Sequence, residues 1–337
     1  MKIKMSAMLA LLAVLCAPVA ALAAPNDTAR MQDAAARHPG DFDDSIADAA
    51  AKEPDRKGTG YIFHRRDARP ASVQFEEAGK AYLAGDLKGA CSKFDKLVRS
   101  HPYSAEAPRA QYNFGAILER RGKYAAAFEE YRYLLAYYPE SDKTAIVLDH
   151  MFAIANWQLG RRKREAAAKS FAAIAAAAPG WHKTPEAIFR MGEARLAMHD
   201  WYEAADAFDT VSSDYPASEF ALPAMGRHAA ALYALSLKYK EDEAIQNRAI
   251  TVSTAAAAAL PKDDPARPEL VAHLEDLIDR RDARAFAIAK FYDGKRHKTD
   301  SAIAAYEEFL RQYPRSPRAD EARERLAALE AASGQER

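Results

Sequence analysis

Histidine and cysteine are the side chains best suited to metal binding and nucleophilic work near neutral pH, and this chain spaces them for neither. Nine histidines are scattered over 337 residues, and the two cysteines, Cys16 and Cys91, are far apart. There is no His-Glu-x-x-His, no Cys-x-x-Cys and no glycine-rich phosphate loop. The adjacent carboxylates Glu129-Glu130 and Glu307-Glu308 fall in helical patterns, where neighbours point to different sides and do not share a substrate. The sequence therefore predicts no enzyme, no metal and no cofactor. The regularly spaced chemistry is non-covalent, aromatic and cationic. Counted from a recurring proline, Phe75, Tyr112, Phe152, Phe189 and, with one inserted residue, Phe286 hold the same slot. Arg120, Arg121 and Lys123 form one basic cluster, and Arg161, Arg162, Lys163 and Arg164 form a denser one.

The elements that position these residues come from one pattern. Phe94 through Ser104 returns as Tyr131–Ser141, Phe208–Ser218 and Tyr306–Ser316, each ending in an aromatic or His, then Pro, then a nearby Ser. Aliphatic positions follow the aromatic at helical spacing, so each copy is a helix that packs on its neighbour and is stopped by proline. Repetition in the thirties predicts an all-α helical-repeat solenoid of five to six helix pairs with a C-terminal capping helix. Few glycines (14), 49% apolar and 28% charged residues fit that class. A net charge of zero gives no global field for nucleic acid.

Residues 1–23 have a basic start at Lys2 and Lys4, an apolar run from Met8 to Leu15 and small residues at Ala21-Leu22-Ala23, the pattern of a secretory signal. The expected location is outside the cytoplasm. Cleavage after Ala23 would leave Cys91 alone; acylation of Cys16 would instead anchor the chain, with bulky Leu15 at the position before it. Residues 24–70 carry breakers from Pro54 to Gly60 and read as poorly ordered, with Tyr61-Ile62-Phe63 as the one apolar cluster. The repeats are expected over 71–332, with a flexible tail at 333–337.

Within the repeats, small residues such as Ala90, Gly115, Ala127, Ala167 and Gly192 allow close helix approach, and Phe94, Tyr131, Phe171, Phe208 and Tyr306 fill the space beside them. A long helix is expected from about Ala266 to Tyr292. Its last part supplies Ala285, Ile288, Ala289 and Tyr292 to the final unit, before a charged helix at 317–331. The first helix of each pair lines the inner side of such a stack, so the five-membered aromatic slot is either a ladder for a partner segment or a row of rings buried between helices. Both basic clusters fall at inter-helix turns, where they would meet acidic loops or lipid phosphates, or stand solvated.

The small–aromatic–proline arrangement resembles the tetratricopeptide repeat. Phe94 to Gly115, FDKLVRSHPYSAEAPRAQYNFG, is similar to the first repeat junction of the BamD family of outer-membrane protein assembly lipoproteins. The segment Ala287 to Tyr292 with YEEFLRQYPRSPRADEARERL is similar to that family's last repeat. The resemblance covers roughly residues 70 to 332. It implies a non-enzymatic periplasmic scaffold whose partners are the outer-membrane barrel insertase and unfolded barrel proteins. Membrane association would run through a partner or a lipid on Cys16. The alternatives are an envelope-organising adaptor similar to the TolA-binding cell-division coordinator and, more distantly, a peptidoglycan-active enzyme.

Overall fold

The computed structural model describes residues 67–295 and 298–335, and the expectations for residues 1–66, including Cys16 and Tyr61-Ile62-Phe63, lie outside them. All regular structure among the described residues is helical. Two compact units meet in sequence at Asp200 and Trp201. The first holds Ala71–Leu83 (α1), Leu87–Ser100 (α2), Ala107–Arg120 (α3), Tyr124–Tyr137 (α4), Thr144–Gly160 (α5), Arg164–Ala177 (α6) and Thr184–Leu196 (α7). The second holds Trp201–Asp214 (α8), Ala221–Lys238 (α9), Glu243–Ala259 (α10), Arg267–Asp293 (α11), Thr299–Gln312 (α12) and Ala319–Gln335 (α13).

In unit 1 each helix packs on the next, from α1 to α7, and α4 also touches α6. Its core runs continuously through Phe94, Leu97, Tyr131, Leu134, Met151, Ile154, Phe171 and Ile174. In unit 2 successive helices from α8 to α13 pack in order, and α9 also meets α11. One apolar cluster there gathers Phe286, Ala289, Tyr306, Phe309 and Ala322; another gathers Ala229, Ala256, Leu260 and Leu270. Cys91 is a buried free thiol on α2, its pKa raised by burial against the pull of Arg121.

Two kinds of turn separate the helices, and the sequence dictates both. At the proline turn, the residue before Pro cannot keep helical ψ without clashing with the pyrrolidine ring. His101, Tyr138 and Tyr313 accordingly sit near φ −130°, ψ +57°: φ −134/ψ 59, φ −133/ψ 56 and φ −127/ψ 56. Each still donates its N–H to the carbonyl four back, on Leu97, Leu134 and Phe309. The Ser of the motif then starts the next helix: Ser141, Ser218 and Ser316 accept from the backbone N–H two residues on at 3.2, 3.2 and 3.3 Å. Asp264 does the same for Ala266 at 2.8 Å. Three of the four recurring serines are thus turn acceptors, while the Ser104 hydroxyl is buried without a hydrogen-bond partner.

At the second kind of turn, between α1 and α2, α3 and α4, α5 and α6, and after α7, one residue is left-handed. Two are glycines, Gly85 (φ 79°) and Gly122 (φ 71°); the other two are Arg162 (φ 59°) and His199 (φ 65°). Each following residue bonds back across the helix end, as Asp86 does to Ala81 and Lys163 to Gln158, which is the Schellman arrangement. An L side chain in this region is strained. No atom lies within 4 Å of a Cβ built on Gly85 or Gly122, so only backbone conformation decides the effect of substitution. Gly85→Ala and Gly122→Ala are each expected to lower stability by about 1 kcal/mol, and Arg162→Gly and His199→Gly to raise it by up to a similar amount. Denaturant midpoints at unchanged slope measure this.

Unit 2 buries two imidazoles. His228 on α9 has Nδ1 3.4 Å from Asp209, and His273 on α11 stacks on Tyr233 at 3.9 Å between centroids. Burial is the larger influence on both and holds their pKa values below the ordinary value, against the nearby carboxylates. Burial likewise pushes the Tyr233 hydroxyl, hydrogen-bonded to Asp276, up to about 12. As pH falls through about 6.5 the unfolded chain takes up these protons first, so the histidines' contribution is complete above that pH and is lost below it. The thermal midpoint of unit 2 should fall between pH 7.5 and 5.5. In His273→Phe, which keeps the ring stack, the fall should be smaller, as calorimetry across that range would show.

Candidate functional site

Four aromatics of the recurring slot leave a first helix and meet the ring that the following second helix contributes from its proline-anchored motif. Phe75 on α1 stands edge-on to Phe94 of α2 with centroids 5.5 Å apart. Tyr112 on α3 lies 6.3 Å from Tyr131 of α4, and Phe152 on α5 lies 5.6 Å from Phe171 of α6. Phe286 on α11 is 5.9 Å from Tyr306 and 5.4 Å from Phe309, both of α12. Phe189 on α7 is buried. The periodic pairing follows from spacing alone, because both rings sit at fixed distances from the same proline. The slot is part of the packing: Tyr112, Phe152, Phe189 and Phe286 are 5–9% exposed, and Phe75 is half-buried. Little ring area is left for a partner.

What covers these rings is charged. The Arg109 guanidinium of α3 lies 5.1 Å above Phe75, and Lys183 and Arg190 both lie 5.8 Å from Phe152. Lys290 covers Phe286 at 5.4 Å. A cation over an aromatic face is attracted to the ring quadrupole. In unit 1 the slot therefore presents cations held over apolar rings, moderated by Glu186 on Arg190 at 2.6 Å and Asp149 on Lys183 at 2.5 Å. A surface of this kind suits an acidic segment.

The basic edge also has aromatic supports. Arg120 donates to the Tyr82 hydroxyl at 3.0 Å and lies over its ring. Trp157 carries Tyr124 at 4.4 Å, Lys163 at 5.1 Å and Arg161 at 6.0 Å. Arg121 is near Cys91, Arg162 is the left-handed residue, and Arg164 opens α6. The five arginines belong to two hairpin turns of unit 1, which Tyr124 joins by packing on Trp157. Among the described residues no group of three or more His, Cys, Asp or Glu is placed to hold a metal ion, and no helix is long and apolar enough to cross a membrane.

A buried polar cluster escaped the sequence reading. Glu119, near the end of α3, accepts from the Tyr131 hydroxyl at 2.8 Å, and its same oxygen lies 2.8 Å from Nδ1 of His150 on α5. The His150 ring stacks on Tyr131 at 5.3 Å, and Tyr112 closes the side at 6.1 Å. Burial and the Glu119 charge push the Tyr131 hydroxyl pKa far above its ordinary value. Gly115 makes room for the ring, since a Cβ there would meet Tyr131 Cε1 at 2.6 Å. The cluster joins three successive helices through one carboxylate. Glu119→Ala strands two buried groups and should cost about 3 kcal/mol, whereas Glu119→Gln, which keeps an acceptor, should cost clearly less. Equilibrium unfolding of the two variants followed by tyrosine fluorescence distinguishes them.

Ile288, expected to pack into the final unit, is instead 52% exposed, because it lies on the side of α11 opposite Phe286 and Ala289.

A tetratricopeptide-repeat family model matches residues 186–218 and 285–316. No curated protein gives a match. Among solved structures the chain is similar to a tetratricopeptide repeat protein from Parabacteroides merdae, at 16% identity over 77% of this chain and 98% of that one, with a TM-score of 0.29. It is also similar to MamA from Desulfovibrio magneticus, at 14% identity over 57% of this chain and 97% of that one, with a TM-score of 0.27. Residues 186–218 and 285–316 are tetratricopeptide repeats, and the helical-repeat fold of the chain is of that type.

Proposed function

We propose that this chain is a non-enzymatic, protein-binding scaffold of the cell envelope, acting in outer-membrane protein assembly in the manner of BamD. The observation that carries the protein-binding part is the row of cations fixed over buried rings in unit 1, Arg109 over Phe75 and Lys183 and Arg190 over Phe152. Such cations are held in place before a partner arrives, which lowers the ordering cost of association. They favour a segment carrying carboxylates along an extended or helical backbone. The envelope role draws its support from the secretory pattern at residues 1–23 and the likeness of FDKLVRSHPYSAEAPRAQYNFG to the BamD repeat junction.

The deciding experiment is intact mass of the protein from membrane and soluble fractions, followed by pull-down from solubilised envelopes. Recovery of the barrel insertase with the wild-type chain, reduced several-fold in an Arg109→Ala/Arg190→Ala variant of normal thermal midpoint, is the expected result. A form starting near Ala24 that brings down other envelope proteins and no insertase would remove the assembly role while leaving a periplasmic scaffold. Turnover of peptidoglycan by the purified chain would overturn the non-enzymatic reading.

A further inference from the structure

Helix α11 is the longest among the described residues, at 27 residues, and only its first part is covered along one side. At about 100° per residue, positions 273, 277, 280, 284, 288 and 291 fall on one face. His273 stacks on Tyr233 of α9, and the Leu277 carbonyl accepts from Gln246 of α10. Arg280 reaches Ser236 at 3.0 Å, and Arg284 reaches Glu243 at 3.3 Å, where α10 begins. The α9–α10 hairpin ends there. Two and a half further turns of α11, about 13 Å, run past it. On that overhang the same face continues as Ile288 and Phe291, 52% and 58% exposed. The opposite face is occupied: Phe286 packs on α12, and Lys290 and Asp293 pair with Glu321 and Arg325 of α13.

Register shows what this face is suited to receive. Counted from the slot aromatics Phe286, Tyr112 and Phe152, Ile288 and Phe291 correspond to Phe114 and Ile117 on α3 and to Ile154 and Trp157 on α5. Phe114, Ile117 and Ile154 are buried and Trp157 is half-buried, in helices covered by α2 and α4 respectively. The first repeat, α1, has Glu77 and Lys80 at these positions, charges suited to an end that faces water. The last repeat is thus furnished as an internal repeat, yet its preceding second helix is missing, because α11 runs on in one piece.

We infer that the Ile288–Phe291 face of α11 is a docking slot for an acidic amphipathic helix of a partner protein. Helical shape follows from the element that fills the corresponding place on α3 and α5. Acidic character follows from the cation at the slot's margin, Lys295, which lies 4.8 Å over Phe291. Unit 2 itself supplies an example: α8, which packs on α9, carries Glu203, Asp206, Asp209 and Asp214 and no Lys or Arg. The slot rests on the protein-binding reading above and is independent of the envelope role.

The test uses the full chain and a synthetic peptide of residues 201–214, WYEAADAFDTVSSD, fluorescently labelled and carrying a photoreactive group. Binding by anisotropy, with crosslinks mapped to residues 284–295, is the expected result. Ile288→Glu/Phe291→Glu should weaken it by about tenfold or more, the loss expected from one or two buried side chains. Lys295→Glu should weaken it as well, and both variants should keep the wild-type helical content. A control peptide with lysine at the four acidic positions should not bind. Crosslinks on α9 or elsewhere, or equal binding of the control peptide, would overturn the inference. So would binding of the chain to phosphatidylglycerol vesicles but not to the peptide, which makes the face a lipid contact. A dimer in analytical ultracentrifugation that is lost in the double variant would assign the face to a second copy of this chain. None of these outcomes bears on whether the insertase is recovered from envelopes.

Discussion

Everything in this fold depends on where its helices are forced to stop. A pre-proline residue excluded from helical ψ ends each second helix, and a left-handed residue ends several of the first. Because both stops recur at nearly constant spacing, the rings, small residues and cations between them return to equivalent places. His101, Tyr138 and Tyr313 differ in side chain yet share one backbone conformation, so the stop is imposed by the following Pro and not by the residue that adopts it. At Ser141 and Ser316 the serine two places past the proline then turns the chain into the next helix through its own hydroxyl. Three residues set the length of a helix and the start of its successor.

Given those lengths, packing follows from a few contacts per repeat. A ring from the first helix meets a ring from the second, and a small residue lets the helices close. Gly115 shows the tolerance involved, since the space of one methyl group is filled by Tyr131. The polar group that this closeness buries, Glu119, is answered by Tyr131 and by His150 from the next helix. Neutral stacking energy would tolerate small slips of one helix along another. A shared carboxylate acceptor with two directional partners tolerates fewer, so the cluster fixes the register of α3, α4 and α5 together.

The repeat grammar was legible because proline, glycine and aromatic positions are read one residue at a time. The proline stops at Pro102, Pro139, Pro216 and Pro314 and the long helix before the last unit could all be located that way. Three features could not. Arg162 and His199 adopt the left-handed conformation that Gly85 and Gly122 announce by their identity, but an arginine in that place carries no such announcement. The Glu119–His150 contact joins residues far apart in sequence, and neither is unusual in its own helix. The fate of the aromatic slot depended on what lies above it, and the cations that cover Phe75 and Phe152 come from the following helices.

The unbroken course of α11 has a mechanical consequence. The terminal hairpin of α11 and α12, with α13 on it, joins the rest of its unit largely through one helical rod, with Arg318 to Asp279 and Arg281 over Tyr313 as struts alongside. A helix resists stretching but bends gently along its length. Tension or torque applied to the chain's end would therefore be carried down the rod as curvature. It would arrive where His273 lies flat on Tyr233, so a pull at one end of α11 becomes a shear between two stacked rings at the other.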